Sequence, residues 1–309
     1  MGSVTLQDTK PSGVYGAPPA ELAETPTGAI QFSPLVPGAR RLEEQDEETL
    51  GHMVVLAPPG TVERRYTIAQ ALRALVPGGG LTVLAPKDKG GSRIAKELAA
   101  FGCDVTETSR RHHRICVCPR PAHPAGLDEA LADGGPRLDD ALGLWTWPGV
   151  FSWNRLDPGS ALLAEHLPPL SGRGADFGCG IGILARTLLA SPQVQHLTLI
   201  DIDRRSVDMA SRNIDDPRAQ ARWADIRNGI DLTALDFVVM NPPFHDGGAE
   251  DQGLGQTFIR RAAETLRPGG VLWLVANRHL PYEAALKSLF RRVTPKVEAQ
   301  GYKIYEALR

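Results

Sequence analysis

The stretch ADFGCGIGILA, from Ala175 to Ala185, decides the fold of the C-terminal half of this 309-residue chain. It places an aspartate and three glycines where an apolar segment ends and a helical segment begins. Glycine is needed at such a corner because the chain turns sharply and its backbone approaches a ligand closely. The carboxylate of Asp176 precedes the glycines; it would repel a pyrophosphate but suits an ammonium group. The loop therefore favours S-adenosylmethionine over NAD as the cofactor.

Short apolar runs alternate with amphipathic stretches on both sides of this loop. From Trp145 onward, segments such as HLTLID, DFVVMN and GGVLWLVAN read as strands, and the stretches between them read as helices. This alternation is typical of a parallel sheet with helices on both faces. We therefore predict an α/β fold whose C-terminal domain has a seven-stranded, mostly parallel sheet.

A phrase from this half occurs twice in the chain. VVMNPPFHDG begins at Val238 and VVLAPPGTVE begins at Val54, while PGGVLWLVAN and PGGGLTVLAP form a second matching pair in the same order. Chance is one explanation, since Pro-Gly-Gly turns before strands are common, but two matches in the same order favour a duplication. The N-terminal copy has no counterpart of the glycine loop. We predict that it is a degenerate copy without a cofactor site.

Composition divides the chain into four predicted segments. Residues 1–50 are rich in Pro, Gly and small polar residues and are predicted to form a flexible arm. The degenerate domain is assigned to residues 51–120, and the turn-rich residues 121–145 to a linker. Residues 146–309 form the predicted catalytic domain.

Composition and cysteine spacing exclude several classes of protein. The chain is 42% hydrophobic and 23% charged, and it has no apolar run of the ~18 residues that a membrane span needs. Its four cysteines form no CxxC pair and no Cys/His cluster, so we expect no metal site. Reduced thiols in a cytoplasmic protein are the expected state.

The net charge of −2 does not indicate nucleic-acid binding by the molecule as a whole. Contacts with RNA must then come from local basic patches. Each patch alone is more typical of a solvated face. The candidates are Arg110, Arg111, Arg114, Arg204 and Arg205.

Acidic residues at the ends of the second and third predicted strands are candidates for cofactor contacts. Asp201, followed by Ile202, lies 25 residues after Asp176, close to the spacing of about 20 residues at which an acid reaches ribose hydroxyls. It could instead cap the next helix, a role that suits Asp203 better. Asp225, followed by Ile226, is placed to accept a hydrogen bond from an adenine amine, and a simple turn residue is an equal alternative.

The NPPF motif, Asn241 to Phe244, follows a strand and so lies at the edge of the sheet where open α/β folds bind ligands. Methylation of an aromatic amine requires its lone pair to be turned toward the methyl group. The side-chain oxygen of Asn241 and the carbonyl of Pro242 can each accept one N–H, which orients the amine and stabilises its developing charge. Pro243 stiffens the backbone, and Phe244 offers a face for stacking a base.

With these motifs the chain resembles the ribosomal RNA small subunit methyltransferase C family, guanine-N2 methyltransferases of the methyltransferase small domain group. The resemblance covers residues 51–309. It rests on GVFSWNRLDPGSALL, DFGCGIG, NPPFHDG, VANRHLPY and the ending YKIYEAL.

The resemblance implies two tandem Rossmann-like class I methyltransferase domains, the N-terminal one degenerate. It implies methyl transfer from S-adenosylmethionine to the N2 amine of a guanine in small-subunit (16S) ribosomal RNA, free or in the assembled subunit, by a monomer. S-adenosylhomocysteine is the implied product. The base contacts fall on Asn241, Pro242, Pro243 and Phe244. The implied cofactor residues are Phe151, Asp157, Gly159, Ser160, Asp176, Gly178, Cys179, Gly180, Asp201, Ile202, Asp225, Ile226 and Asn241.

Two other functions stay open from the sequence. DNA adenine-N6 and protein glutamine-N5 methyltransferases share the NPPF or NPPY motif, but they more often carry Tyr at the position of Phe244 and lack the duplicated half. A non-catalytic RNA-binding or ribosome assembly factor is the alternative of another class. The intact Asp176, glycines and Asn241 argue against it.

Overall fold

The computed structural model of this chain describes residues 10–243, 245–246, 249–250 and 252–309. The chain divides into a first unit, residues 1–135, and a second unit, residues 136–309. The boundary between them falls within the predicted linker, residues 121–145.

The first unit contains a six-stranded sheet of order β2-β1-β3-β4-β6-β5. Strands β2, β1, β3 and β4 run parallel to one another, while β6 is antiparallel to β4 and forms an antiparallel hairpin with β5 at one edge. The elements are β1 (Ser12–Tyr15), β2 (Ile30–Phe32), β3 (Leu50–Leu56), α1 (Thr61–Ala74), β4 (Leu75–Pro86), α2 (Ile94–Ala100), β5 (Thr106–Arg110), β6 (His113–Pro119) and α3 (Leu127–Gly134), with 3-10 turns at Leu42–Glu44, Lys87–Lys89 and Gly91–Arg93.

Residues 10–50 differ from the flexible arm predicted for them. Strand β1 pairs with β3 as well as with β2, and Phe32 in β2 is fully buried in the core of the first unit. These strands are only four and three residues long, and Pro- and Gly-rich turns separate them. The composition of residues 10–50 is therefore that of a loop, although the backbones of β1 and β2 form part of the sheet.

A buried arginine organises the loop between β3 and α1. Arg64 is fully buried, and its Nε and Nη2 donate to the two carboxylate oxygens of Glu97 at 2.7 and 2.6 Å. Its Nη1 donates to the carbonyl oxygens of Pro59 at 2.8 Å and Pro58 at 3.3 Å. A side chain at Gly90 would place its Cβ 2.1 Å from this Nη1, so only glycine fits there. The APPG loop is thus held by a guanidinium from its own unit.

The second unit contains a seven-stranded sheet of order β11-β10-β9-β12-β15-β17-β16. Strands β9 to β12 and β15 are parallel, while β17 and β16 are antiparallel additions. The elements are β7 (Arg137–Asp139), β8 (Leu144–Thr146), α4 (Pro158–His166), β9 (Gly172–Phe177), α5 (Ile183–Leu189), β10 (Val194–Asp201), α6 (Arg204–Asn213), β11 (Ala219–Trp223), β12 (Leu235–Met240), β13 (His245–Asp246), β14 (Ala249–Glu250), α7 (Gln252–Thr265), β15 (Leu266–Asn277), α8 (Glu283–Leu289), β16 (Arg292–Ala299) and β17 (Tyr302–Leu308), with a 3-10 turn at Ile226–Asn228.

Both faces of this sheet are buried, as parallel sheets require. Alternate residues of β12 point to opposite faces: Phe237 and Val239 pack in the cluster that includes α4 and α5, and Val238 and Met240 in the cluster that includes α7 and α8. The prediction of an α/β fold with a seven-stranded, mostly parallel sheet is confirmed.

The strand orders of the two sheets correspond. Strands β2-β1-β3-β4-β6-β5 match β10-β9-β12-β15-β17-β16, and the second unit adds β11 at one edge. The helix and strand that follow each Pro-Pro loop have equal lengths in both units, 14 and 12 residues. Residues 10–50 therefore supply the first two strands of the duplicated architecture.

Among the described residues, no helix has the length and apolar character needed to cross a membrane. Within the same part of the chain, no three His, Cys, Asp or Glu side chains are grouped so as to hold a metal ion. All four cysteines are free thiols and buried.

Candidate active site

The glycine loop leaves the central strand β9 and enters helix α5 through left-handed backbone. Gly178, Gly180 and Gly182 have φ values of 76°, 53° and 93°, a region that other residues seldom adopt. The amides of Gly178 and Cys179 both donate to the carbonyl of Ile200 in β10, at 2.8 and 3.0 Å. The loop is thereby fixed to the neighbouring strand.

Asp201, at the end of β10, holds the other side of this loop. Its Oδ2 accepts a hydrogen bond from the amide of Gly180 at 2.9 Å, and its Oδ1 accepts one from Asp203 N at 2.9 Å. Burial raises the pKa of Asp201 to about 6, although these backbone N–H groups oppose the shift. The cap of helix α6 is Asp203, whose side chain accepts from Arg205 N, so Asp201 is not the helix cap.

Asp176 lies beneath the loop in an apolar setting. Its carboxylate is fully buried, and neither oxygen accepts a hydrogen bond from a described residue. Burial raises its pKa to about 8, and the negative charge of Asp201 adds to the shift. Asp176 therefore favours a proton at neutral pH, and a cationic group brought next to it would stabilise its ionised form.

Asn241 directly follows β12, and its side-chain amide is oriented by helix α4. Its Nδ2 donates to Oδ2 of Asp157 at 2.8 Å and to the hydroxyl of Ser160 at 2.9 Å. A carboxylate oxygen can only accept, so the nitrogen of the amide must face Asp157. That leaves Oδ1 of Asn241 as the amide atom able to accept a hydrogen bond from a ligand.

Asp157 holds this position because it also begins α4. It is the N-cap residue, and its Oδ2 accepts from Ser160 N at 2.7 Å, while Pro158 occupies the first helical turn. Tyr302 packs behind the turn, since a Cβ at Gly159 would lie 2.8 Å from the ring. Burial raises the pKa of Tyr302, and the charge of Asp157 raises it further while Arg155 opposes the shift.

These elements surround a cavity of about 460 Å³, part of which is open to solvent. The glycine loop and Asn241 line the same cavity, as expected where parallel strands end side by side. Its described lining residues are Phe151, Ser152, Arg155, Asp157, Ser160, Gly178, Cys179, Gly180, Ile181, Ile183, Leu184 and Asn241.

The comparisons with known proteins agree with this geometry. The family model described as methyltransferase small domain matches residues 141–306. A ribosomal RNA small subunit methyltransferase C from Pseudomonas paraeruginosa is 34% identical over 290 residues, covering 90% of this chain and 86% of the relative. The protein of the same name from Pseudomonas entomophila is 36% identical over 261 residues, covering 82% and 78%. The chain belongs to the ribosomal RNA small subunit methyltransferase C family.

A solved structure of this family extends the match to the whole fold. The 16S rRNA N2 methyltransferase of T. thermophilus, in complex with AdoMet and guanosine, covers 99% of this chain and 90% of its own, with a TM-score of 0.77 and 25% sequence identity. The family resemblance and the tandem methyltransferase fold predicted from the motifs are confirmed.

Several residues that the family resemblance implies lie around the cavity rather than on it. Gly159 is buried behind Asp157, Asp176 lies beneath the loop, and Pro242 is buried next to the half-buried Pro243. Phe244 lies outside the described residues. The strand-end residues absent from the described lining are Asp201, Ile202, Asp225 and Ile226.

Asp225 has the contacts of a turn residue. It caps the turn Ile226–Asn228, where its Oδ1 accepts from the amide and Nε of Arg227, both at 2.9 Å. Its Oδ2 accepts from Asn228 Nδ2 at 3.2 Å. The contact with adenine that this family implies for Asp225 would therefore have to share the carboxylate with these donors.

Arg204 and Arg205 were predicted to form a basic RNA-binding patch. This prediction is wrong, because neither side chain is at the surface. Both are buried, with 3% and 4% exposure. Arg204 pairs with Asp208 one turn along α6 at 3.2 Å, and Arg205 pairs with its own helix cap, Asp203, at 2.8 Å. The sequence could not reveal that both guanidinium groups fold back onto carboxylates of the same helix.

The other predicted RNA-binding residues lie at the hairpin of β5 and β6 in the first unit. Arg111 is 63% exposed and pairs with Glu21 at 2.8 Å; Arg114 pairs with Glu107 at 3.0 Å, and Arg110 is exposed. Arg111 and its neighbour His112 form the turn with φ values of 44° and 61°. This hairpin tip, Arg110 to Arg114, is a basic surface of the first unit.

Sequence reasoning missed five residues that line the cavity: Ser152, Arg155, Ile181, Ile183 and Leu184. The first two lie inside the family motif GVFSWNRLDPGSALL. Ser152 adopts a left-handed φ of 52°, and the amide of Arg155 donates to its carbonyl at 3.4 Å. The family motif pointed to Phe151 and Asp157 of this loop, but no spacing rule predicts a turn at a serine, so Ser152 and Arg155 carried no signal of their own.

Proposed function

We propose that this protein transfers a methyl group from S-adenosylmethionine to the exocyclic N2 amine of a guanine in small-subunit (16S) ribosomal RNA. The observation that carries the proposal is the orientation of Asn241, whose Nδ2 is engaged by Asp157 so that Oδ1 is left as an acceptor. Membership of the methyltransferase C family and the solved relative with AdoMet and guanosine support it.

The residues of the glycine loop fit S-adenosylmethionine, which supplies an electrophilic methyl group on its sulfonium. Asp176 offers an ammonium group a buried carboxylate that has no hydrogen-bond donor among the described residues. Gly180 has open space on its side-chain side, so a ligand can approach the backbone there. The residues proposed to hold the cofactor are Phe151, Gly159, Ser160, Asp176, Gly178, Cys179, Gly180, Asp201, Ile202, Asp225 and Ile226. Asp157 and Asn241, also implied by the family, lie where this set meets the guanine, and their polar contacts are proposed to serve the base.

At the reacting nitrogen, Asn241 Oδ1 and the carbonyl of Pro242 each accept one N–H of the guanine amine. The two bonds rotate the nitrogen lone pair toward the methyl group and stabilise the positive charge that forms on the nitrogen. Pro243 restrains the backbone of the loop. Phe244 stacks on the base, a contact typically worth about 1–3 kcal/mol.

We propose that the basic hairpin of the first unit, Arg110, Arg111 and Arg114, contacts RNA phosphates. The exposed ion pair between Arg111 and Glu21 costs little to exchange, because surface pairs contribute at most about 1 kcal/mol. Arg114, 25% exposed, pairs with Glu107 beside it. Such contacts offset the few kcal/mol needed to unstack a guanine. We further propose that the protein acts as a cytoplasmic monomer, on free ribosomal RNA or on the assembled subunit.

The test is a methyl-transfer assay with labelled S-adenosylmethionine on three substrates: small-subunit ribosomal RNA, duplex DNA and protein. Nucleoside mass spectrometry of the RNA should identify N2-methylguanosine and map its position. Label in DNA adenine or protein glutamine instead would favour those methyltransferases. Failure of S-adenosylmethionine to bind in calorimetry would favour the non-catalytic assembly factor.

A further inference from the structure

We propose that Arg155 and Asp157 read the Watson–Crick edge of the target base and so select guanine. Arg155 donates to guanine O6, and Asp157 accepts from guanine N1–H. This inference rests on the proposed function, because it assumes that the guanine amine is held by Asn241. It assigns specificity to a loop that lies outside both the glycine loop and the NPPF motif.

Asp157 has one carboxylate oxygen committed and one left over. Its Oδ2 accepts from Asn241 Nδ2 and from the amide of Ser160. Its Oδ1 accepts no hydrogen bond from a described residue, and Asp157 lines the cavity. An acceptor therefore stands next to the amide that receives the guanine amine.

Arg155 is the one cation among the described lining residues of the cavity. Other arginines of the second unit, such as Arg205 and Arg227, have carboxylate partners within 3 Å. In the described part of the chain, no carboxylate lies within ion-pair distance of the exposed Arg155. Its guanidinium is thus available to a ligand.

Arg155 and Asp157 stand near each other as well as on the same loop. Tyr302 is within reach of both charges, since Asp157 raises its pKa while Arg155 opposes the shift. The turn from Ser152 to Arg155 fixes the position of the Arg155 backbone relative to the start of α4. Asp157 in turn contacts Asn241, and Arg155 lines the same cavity as both residues.

The chemistry of these three side chains matches guanine. Along its Watson–Crick edge guanine presents an acceptor at O6, a donor at N1 and donors at N2. The cavity offers a donor at Arg155, an acceptor at Asp157 and an acceptor at Asn241. Adenine presents an amine where guanine has O6 and a lone pair at N1, so it would meet two mismatches. Sites with unpaired polar groups reject such analogues strongly.

The experiment compares two target bases in the same RNA, at the position mapped for the natural substrate. Guanine is replaced by 2-aminopurine, which keeps the 2-amine but lacks O6 and the N1 proton. The native protein should methylate guanine at least 100-fold faster than 2-aminopurine in kcat/KM. Arg155→Ala should reduce kcat/KM for guanine about 10- to 100-fold, the effect of one good base contact, and change that for 2-aminopurine less than threefold.

A matched control removes a positive charge elsewhere in the second unit. Arg267→Ala acts on an exposed arginine that pairs with Asp236 near the start of β12, whereas Asn241 follows its other end. It should leave kcat/KM for both bases within twofold. Arg155→Lys, which keeps the charge but not the planar fork, should fall between the native protein and Arg155→Ala.

Each of four outcomes would overturn the inference. Equal losses on both bases would assign Arg155 to a phosphate, and a tenfold weaker affinity for S-adenosylmethionine would assign it to the cofactor. If Arg155→Ala left kcat/KM for guanine unchanged, Arg155 would have no role in reading the base. The same would follow if the native protein methylated 2-aminopurine as well as guanine. A native protein that methylates no guanine refutes the proposed function instead, so the two failures are distinguishable.

Discussion

Nδ2 of Asn241 lies 2.8 Å from Oδ2 of Asp157, the N-cap residue of α4. This contact determines which way the side-chain amide of Asn241 is turned at the end of β12. The two residues are far apart in sequence and belong to different motifs. The contact joins the motif that begins α4 to the motif that follows β12. Substitutions at either residue should therefore affect the same step.

Replacing Asn241 by Ala should lower kcat about 100- to 1000-fold, the usual cost of removing one group that stabilises a developing charge. Affinity for S-adenosylmethionine should change less than threefold, because the glycine loop and Asp176 remain. Steady-state kinetics and calorimetry measure the two effects. Ser160→Ala, which removes only one acceptor of Nδ2, should cost less than tenfold. A large loss of cofactor affinity in Asn241→Ala would refute the assigned role.

Asp157→Asn separates the helix cap from the orientation of the amide. Asn caps helices about as well as Asp, so thermal stability should change little. An amide can donate as well as accept, so it no longer forces the nitrogen of Asn241 toward it, and kcat should fall at least tenfold. Thermal denaturation and kinetics check both statements. Full activity would show that the orientation of Asn241 does not depend on the charge of Asp157.

Asp176 should make cofactor binding dependent on pH. Its pKa of about 8 means that the carboxyl carries a proton below that pH, and a bound ammonium group must displace the proton. Affinity for S-adenosylmethionine should therefore rise as the pH increases from 6 to 7.5, by up to tenfold per pH unit. Calorimetry in buffers of different ionisation enthalpy would detect the released proton.

The comparison for this prediction is Asp176→Asn, which has no titrating carboxyl. Its affinity should be weaker than that of the native protein at pH 7.5 and nearly constant between pH 7 and 7.5, where Asp201, with a pKa of about 6, stays ionised. Parallel pH profiles in the two proteins would mean that another group binds the ammonium.

Charge reversal at the hairpin tip, Arg111→Glu with Arg114→Glu, should weaken RNA binding in a salt-dependent way. Each lost phosphate contact should reduce the slope of log affinity against log salt by about 0.7–0.9. Filter binding across a salt series measures this slope. The control is Arg93→Glu with Lys96→Glu, an equal charge change on exposed residues at α2 of the same unit. An equal loss in the control would remove the hairpin from the interface.

Replacing Arg64 by Met should destabilise the chain by about 3–5 kcal/mol, because the largely buried Glu97 loses its partner. The free energy of unfolding from urea denaturation measures the loss. The double variant Arg64→Met with Glu97→Met should recover most of it, since no charge is left without a partner. If the single variant were as stable as the native protein, Arg64 would not hold the APPG loop.

The sequence predicted the position of the site because it depends on strand order. The glycine loop and Asn241 each follow an apolar segment, and the ends of parallel strands meet at one edge of the sheet. The alternation of strands and helices was enough to predict that meeting. It required no knowledge of side-chain contacts.

What the sequence did not predict depends on contacts that leave no periodic trace. Arg204 and Arg205 look like a basic patch until the structure shows their bonds to carboxylates of α6. Strands β1 and β2 are too short to show an alternating pattern. Arg155 faces the cavity because of a turn at Ser152, a residue type that seldom adopts that conformation.

The guanidinium of Arg64 occupies the Pro-Pro loop of the first unit. Guanine itself contains a guanidine fragment, and in the first unit an arginine already supplies such a group to the carbonyls of Pro58 and Pro59. Placing Asn at Ala57 and Phe at Gly60 would therefore not by itself make a site for a guanine amine, because the carbonyls of Pro58 and Pro59 already accept from Arg64. Arg64 and Glu97 would both have to be replaced, because replacing one alone leaves the other as a buried charge without its partner.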